Sequence, residues 1–201
     1  IFYGNLIASF LILLFSFPII INNFRFKLIS LSMIKKILSF GIPFLPAGIF
    51  TMLIELADRY MLEWIVGTEI VGIYSAAYKL GMVGLLLIMS FNLGWTPFFL
   101  KIGKKKESKY IFSKITTYFL GIYGLVAIFF SLILDVVLTF KINEFSLLGL
   151  EYIEAAKIIP IILLSYFFLG IYIMRLPTIY LPEKTYWIPF LRGLGAISNI
   201  I

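Results

Sequence analysis

The chain contains no histidine and no cysteine. Without an imidazole or a thiolate, the commonest nucleophiles and zinc ligands are missing, and no disulfide can form. Charge is scarce too: 13% of the 201 residues are Asp, Glu, Lys or Arg, against about 25% in a soluble globular domain. Acids are the rarer sign, 10 against 17 Lys and Arg. They form no spaced acidic run of the calcium-binding kind. Neither a GxGxxG after a strand nor a Walker-type phosphate loop is present. The expectation is a protein without metal, without cofactor and without catalytic residues.

What is present is hydrocarbon. Hydrophobic residues make up 62% of the chain, well above the about 45–50% of soluble domains. Five runs, 1–21, 37–57, 70–91, 110–134 and 158–173 with its flanks, approach or exceed the ~18–20 residues that carry a helix across a bilayer. A sixth starts near Tyr186. The predicted fold is all-α, a polytopic transmembrane bundle of about six spans. The organisation read from hydropathy is a helix at 1–21, a cytoplasmic amphipathic linker at 22–36 and a bundle at 37–201. The bundle spans fall at about 37–61, 70–97, 110–138, 157–174 and 186–201. The first residue is Ile, and the last run is cut at Ile201. The expectation is therefore an internal fragment whose partners include the remainder of its own chain.

The formal charge of +7 raises the question of nucleic acid, and its distribution answers against it. The link at 22–36 holds Arg25, Lys27, Lys35 and Lys36 and no acid. "KIGKKKESK", 101–109, holds five Lys against Glu107, and the link after the fifth span holds Arg175, Glu183 and Lys184. The alternate links are poorer in Lys and Arg: 61–69 has Glu63 and Glu69, and 141–157 has two Lys against Glu144, Glu151 and Glu154. Cytoplasmic loops accumulate Lys and Arg. The bias alternates with the spans, so it encodes topology in a cytoplasmic membrane and not a nucleic-acid surface. Phe24, Leu28, Leu31 and Ile34 give the basic linker one apolar face, as an interfacial helix on membrane lipid requires.

Charge gathers unexpectedly in "IELADRYMLEWIVGTEIVGIYSAAYKLG". Counted from residue 37, Glu55 lies about 27 Å along its span at ~1.5 Å per residue, with Asp58 and Arg59 at or past the outer edge of a ~30 Å core. Thr51, Glu55, Asp58 and Arg59 share one stripe at helical spacing. An interfacial pairing of Glu55 or Asp58 with Arg59 and a role at the mouth of a cavity both fit them. Lys79 lies roughly 13–14 Å into the next span, where an ammonium costs on the order of 2.5–3.5 kcal/mol unless it meets water, an anion or a carboxylate. Gly72, Ser75, Ala76 and Lys79 make a small, polar face directed into the bundle, and Tyr74 and Tyr78 lie on the face beside it. A Lys that snorkels or bridges to Glu55 is the competing reading. Arg192, about 9 Å into the last span, fits snorkelling and a lumen equally. Pro43 and Pro46 break the second span, as cavity-lining helices of transporters are broken. Pro97 marks the inner end of the third, with Trp95 as an interfacial anchor.

The passage from Lys35 to Gly81 resembles the opening of the second half of polysaccharide (O-antigen or capsule) flippases, in the multidrug/oligosaccharidyl-lipid/polysaccharide exporter superfamily. Phe40, Gly41, Pro43, Pro46, Asp58, Arg59, Gly67, Gly72, Tyr74, Ala77 and Tyr78 carry the likeness, which extends to about Pro97. The resemblance implies two six-helix halves around a cavity that opens to either side in turn, of which this chain would hold the last helix of the first half and most of the second. It implies a lipid-diphosphate-linked oligosaccharide as the transported partner. Lys79, Arg59 and Arg192 would be cationic contacts for the diphosphate and Tyr74 and Tyr78 contacts for sugar; Glu55 and Asp58 would couple an ion or form a structural pair. Translocation breaks no bond, so no enzyme is implied. A multidrug exporter of the same fold is the alternative, though it would more naturally show buried acids at midplane depth. A membrane polysaccharide polymerase would call for Arg- or His-rich outer loops.

Overall fold

The computed structural model describes residues 2–23, 25, 30–139, 141–142, 145–146 and 157–200. Part of the linker read at 22–36, including Lys27, and most of the outer link, including Glu144, Glu151 and Glu154, lie outside them. The chain divides into two compact units, 1–42 and 43–201. The first holds α1 (Phe2–Asn23) and α2 (Leu31–Gly41), neither of which buries any residue. α1 is apolar throughout. α2 repeats Leu31, Ile34 and Leu38 along one side, with Lys35 and Lys36 between them.

The second unit opens where the prolines interrupt the helix. The Ile42 amide still donates to the Leu38 carbonyl at 2.8 Å, but Pro43 has no amide to continue the ladder and becomes the cap of α3 (Phe44–Val66). Pro46 falls in the first turn of α3, where no intrahelical donor is required. α3 then runs to Val66, past the point where hydropathy places the link. A single residue, Gly67 at φ 90°, separates it from α4 (Thr68–Ile102). That backbone region strains any residue with a Cβ. Helices end where capping and backbone geometry stop them, whereas hydropathy reports only the apolar stretch. The same distinction holds at Pro97, which lies inside α4.

α5 (Ser108–Thr139) follows the Lys-rich turn. A two-residue antiparallel ladder, β1 (Lys141–Ile142) with β2 (Phe145–Ser146), lies in the outer link. α6 (Ile159–Arg175) starts at Pro160 in its first turn, and α7 (Pro177–Tyr180) and α8 (Trp187–Ile200) complete the order. Within this unit α3 packs chiefly on α8, while α4, α5 and α6 pack on one another.

Glycines set both seams. On α8, Gly193 and Gly195 let Phe50 and Ile54 of α3 approach, and the Asn199 amide donates to the Ile54 carbonyl at 3.0 Å. On α4, Gly81 and Gly84 receive Ile162, Leu163 and Tyr123. The core of the larger group is Ala77, Ile88, Trp95, Phe99, Tyr123, Ile159 and their neighbours. Trp95, expected as an interfacial anchor, is only 2% exposed and meets Phe99 and Phe112 edge to face. It falls on the same side of α4 as Ile88 and Phe99, so the packing surface claims the indole.

Tyr123 is 3% exposed, and its hydroxyl donates to the Leu163 carbonyl at 3.0 Å, tying α5 to α6. Tyr123→Phe is expected to lower thermal stability in detergent by about 1 kcal/mol, the usual net worth of one such bond. An unchanged melting curve would contradict that architectural role.

Outside these seams the helices are apolar, as at Trp64 and Leu93, 89% and 81% exposed. Five helical stretches are long and apolar enough to cross a membrane: Phe2–Asn23, Leu31–Val66, Thr68–Ile102, Ser108–Leu134 and Ile159–Tyr180. The fold is an all-α polytopic membrane bundle.

Candidate functional site

Polar chemistry concentrates between the two packing groups of the second unit. On α3, Asp58 and Arg59 are both half-buried. Counted from Phe44, where the helix begins, Arg59 lies about 22 Å along α3. It sits well inside the helix, with two further turns before Val66. Asp58 accepts twice: its Oδ1 takes the Arg59 backbone amide at 2.9 Å, and its Oδ2 takes the hydroxyl of Tyr74 on α4. These bonds fix the carboxylate toward α4. The partner of Asp58 is therefore a phenol on the next helix, where the sequence suggested the neighbouring guanidinium.

The Arg59 guanidinium lies over the ring of Tyr78, 5.5 Å from its centroid. Its Nε is buried and has no hydrogen-bond partner. A desolvated cation–π contact contributes up to about 2 kcal/mol, but it does not satisfy an N–H donor. Tyr78 is the hub of the cluster. Its ring is 5.9 Å from that of Tyr74 and 6.2 Å, edge to face, from that of Tyr166 on α6. Tyr166 is 6% exposed, and its hydroxyl faces that of Tyr78. Glu55, exposed and one turn before Arg59, is close enough for its charge to act on Tyr166.

Of the residues singled out in the sequence, Asp58, Arg59, Tyr74 and Tyr78 are thus brought together, with Glu55 beside them. Arg192 is placed apart: its guanidinium lies 4.9 Å from the Tyr172 ring centroid, bridging α8 to α6. Lys79 is exposed and is not part of the cluster. It lies about 16 Å along α4, on the face away from Ala77, Gly81 and Gly84. Tyr166 was not foreseen. Its one signal was a phenol in the middle of the run "IPIILLSYFFLG", and a tyrosine in an apolar span says nothing of which neighbour it meets.

Two hollows lie elsewhere in this unit. One of about 420 Å³ lies between α4 and α5 against Leu87, Phe91 and Tyr118, and one of about 490 Å³ lies between α5 and α6 against Ile128, Leu164 and Phe167. Both are nearly devoid of polar surface and open outward, so they fit acyl chains and offer no recognition chemistry. Among the described residues no group of His, Cys, Asp and Glu has the arrangement of a metal site.

The fold and site together define a polytopic membrane protein with a cluster of charged and tyrosine side chains, Asp58, Arg59, Tyr74 and Tyr78, inside an apolar bundle. Residues 1–103, a little over half of the chain, match the family described as polysaccharide biosynthesis protein, and the chain belongs to that family. No curated protein matches it significantly. No solved structure does either.

Proposed function

We propose that this protein carries a lipid-diphosphate-linked oligosaccharide, an undecaprenyl-diphosphate repeat unit, across the cytoplasmic membrane by alternating access for cell-surface polysaccharide assembly. It does so without making or breaking a bond. The observation that carries this reading is Arg59, a half-buried guanidinium inside an apolar bundle with an unsatisfied buried donor. Beyond its contact with the Tyr78 ring, a guanidinium in that setting has an N–H left to give to an anion. The diphosphate is such an anion, and low local dielectric strengthens the attraction. Tyr74 and Tyr78 then offer aromatic faces for sugar. The neighbouring carboxylate, Asp58, is bonded to Tyr74, which leaves the arginine available for a ligand and does not favour a cation-coupled drug exporter.

Lys79 supports the same reading from a second direction. Lys79 is exposed among the described residues, and an ammonium against lipid tails is costly. In this reading the face with Gly72, Ser75 and Lys79 lines the transport path, with Lys79 as a further contact along it. Arg192, over Tyr172, is a third.

The test is transport of a fluorescent lipid-diphosphate oligosaccharide by the intact protein in sealed vesicles, scored as glycan reaching the opposite leaflet. The wild-type protein is expected to move it faster than protein-free vesicles. Lys79→Ala is expected to slow the rate about tenfold, the loss of one charge-assisted contact. Wild-type vesicles no faster than protein-free ones would remove the flippase reading, and full activity in Lys79→Ala would remove Lys79 as a contact.

A further inference from the structure

The hollow of about 420 Å³ between α4 and α5 lies on another side of α4 from the tyrosine cluster. Leu87, which lines it, falls about two and a half turns after Tyr78 at ~3.6 residues per turn, so it points the opposite way. The back of the hollow is rigid. Phe91 stacks on Phe119 with ring centroids 4.1 Å apart, and Tyr123 is held by its bond to Leu163. On α5 the hollow runs from Ile115 to Val126, about 16 Å along the helix. That is half of a ~30 Å hydrocarbon core, or the depth of one leaflet.

The walls are apolar, but charge stands at the mouth. The run 115–134 carries no charged residue and spans about 30 Å, the thickness of the core. Lys114 therefore stands at the border of the hydrocarbon, next to the end of the hollow at Ile115. Its ammonium lies 5.9 Å from the centroid of the Tyr118 ring, and the same ring lines the hollow. The turn before α5 adds a basic rim: Lys101, Lys104, Lys105, Lys106 and Lys109 are all exposed there, against one acid, Glu107.

We propose that this hollow seats one acyl chain of an anionic bilayer phospholipid, whose phosphodiester headgroup rests on Lys114. Length and charge together select this occupant. A hollow one leaflet deep matches an ordinary fatty acyl chain, whereas the polyprenyl tail of a transported lipid is longer than the hollow. A cation at the border, beside a rim of lysines, favours a headgroup of net negative charge. The same rim repels the positive end of a zwitterionic headgroup. Tyr118 joins the two parts of the site, because the ammonium lies over its ring and the hollow begins beside it. The lipid sits away from Arg59, so this site stands or falls independently of the transport reading.

The test is native mass spectrometry of the intact protein released from nanodiscs of phosphatidylglycerol and phosphatidylcholine in equal parts, with matched acyl chains. Thermal unfolding is measured on the same samples. Wild-type protein is expected to retain one phosphatidylglycerol in preference to phosphatidylcholine. Lys114→Gln is expected to reduce that preference about fivefold, the worth of one lysine near an anionic surface, and to keep a lipid bound. Ile122→Trp fills the hollow from an exposed position. It is expected to release the lipid without lowering the unfolding temperature. Leu132→Trp, exposed beside the hollow between α5 and α6, is expected to retain it.

An unchanged preference in Lys114→Gln would overturn the headgroup assignment. Retention of the lipid in Ile122→Trp, or its loss in Leu132→Trp, would overturn the hollow as its seat. Displacement of the phospholipid by added undecaprenyl phosphate would give the hollow to the transported lipid and overturn the proposal. So would a wild-type protein that holds no phospholipid and runs as a dimer, with a second copy covering this face. A wild-type protein without bound lipid, whose Ile122→Trp variant unfolds at lower temperature, would overturn it too, with protein packed in the hollow.

Discussion

Arg59→Met is expected to reduce transport at least about thirtyfold while leaving the bundle as stable as the parent, or more so. The two halves of this expectation have separate causes. Truncating one partner of a buried, hydrogen-bonded charge pair costs about 2–5 kcal/mol, and the lower figure already corresponds to about thirtyfold, at ~1.4 kcal/mol per decade. In the ligand-free protein the balance is different. Losing the contact with Tyr78 gives up about 0.5–2 kcal/mol. Removing a buried donor that bonds to nothing returns about 1–3 kcal/mol, and an apolar side chain of similar length fits the surrounding rings. Arg59→Lys keeps the charge but loses the planar fork, so it should fall between parent and Arg59→Met. The measurement pairs vesicle transport with thermal unfolding in the same detergent. If Arg59→Met unfolded many degrees lower and lost transport in step, Arg59 would be a staple between helices and not a ligand contact.

Gly84→Val is expected to cost about 3 kcal/mol or prevent assembly of the folded bundle, with Gly81→Val close behind. A Cβ at Gly84 would overlap the Tyr123 hydroxyl and lie 3.0 Å from Leu163 Cδ2; one at Gly81 would lie 2.5 Å from Ile162 Cγ2. Neither neighbour can retreat. Tyr123 is held by its bond to Leu163, and Ile162 and Leu163 are themselves buried. In a bilayer, helices associate through close van der Waals packing over small residues, so filling that notch removes the contact itself. Gly94, on the same helix, is the control. Nothing lies within 4 Å of a Cβ there, and Gly94→Ala should stabilise by up to about 1 kcal/mol through helix propensity. Size-exclusion profiles and melting curves of the three variants suffice. Equal tolerance at Gly84 and Gly94 would refute the close approach of α4 to α6.

Much of the architecture was legible in the sequence for one reason: a bilayer demands long apolar helices, and few other structures leave that trace. Helix ends were less legible. Val66 and Thr68 lie beyond the apolar stretches, and their limits depend on one backbone angle at Gly67. Trp95 shows the same gap, because an indole near a span end fits an interface and a core equally until the packing face is known. At the site, Arg59 with Tyr74 and Tyr78 stood out because charge and phenols at helical spacing are conspicuous among Leu and Ile. Their partners were not readable. Asp58 bonds across to the next helix, and Tyr166 arrives from a distant one, so both depend on how helices pair. Lys79 was conspicuous as well. It lies on the uncovered face of α4, and a sequence gives the spacing of residues around a helix without saying which side meets a neighbour.

The single-residue joint at Gly67 has a consequence for biogenesis. It folds α3 and α4 into one hairpin, and Tyr74 finds Asp58 only 16 positions away. Short-range closures of this kind form early, and a nascent chain folds from its leading end. The Asp58–Tyr74 latch and the Arg59–Tyr78 stack should therefore be set during insertion, before the ribosome has made Tyr166. The helices from α6 onward then arrive on a hairpin already closed, so a ribosome-stalled chain ending ahead of α6 should already hold Asp58 against Tyr74.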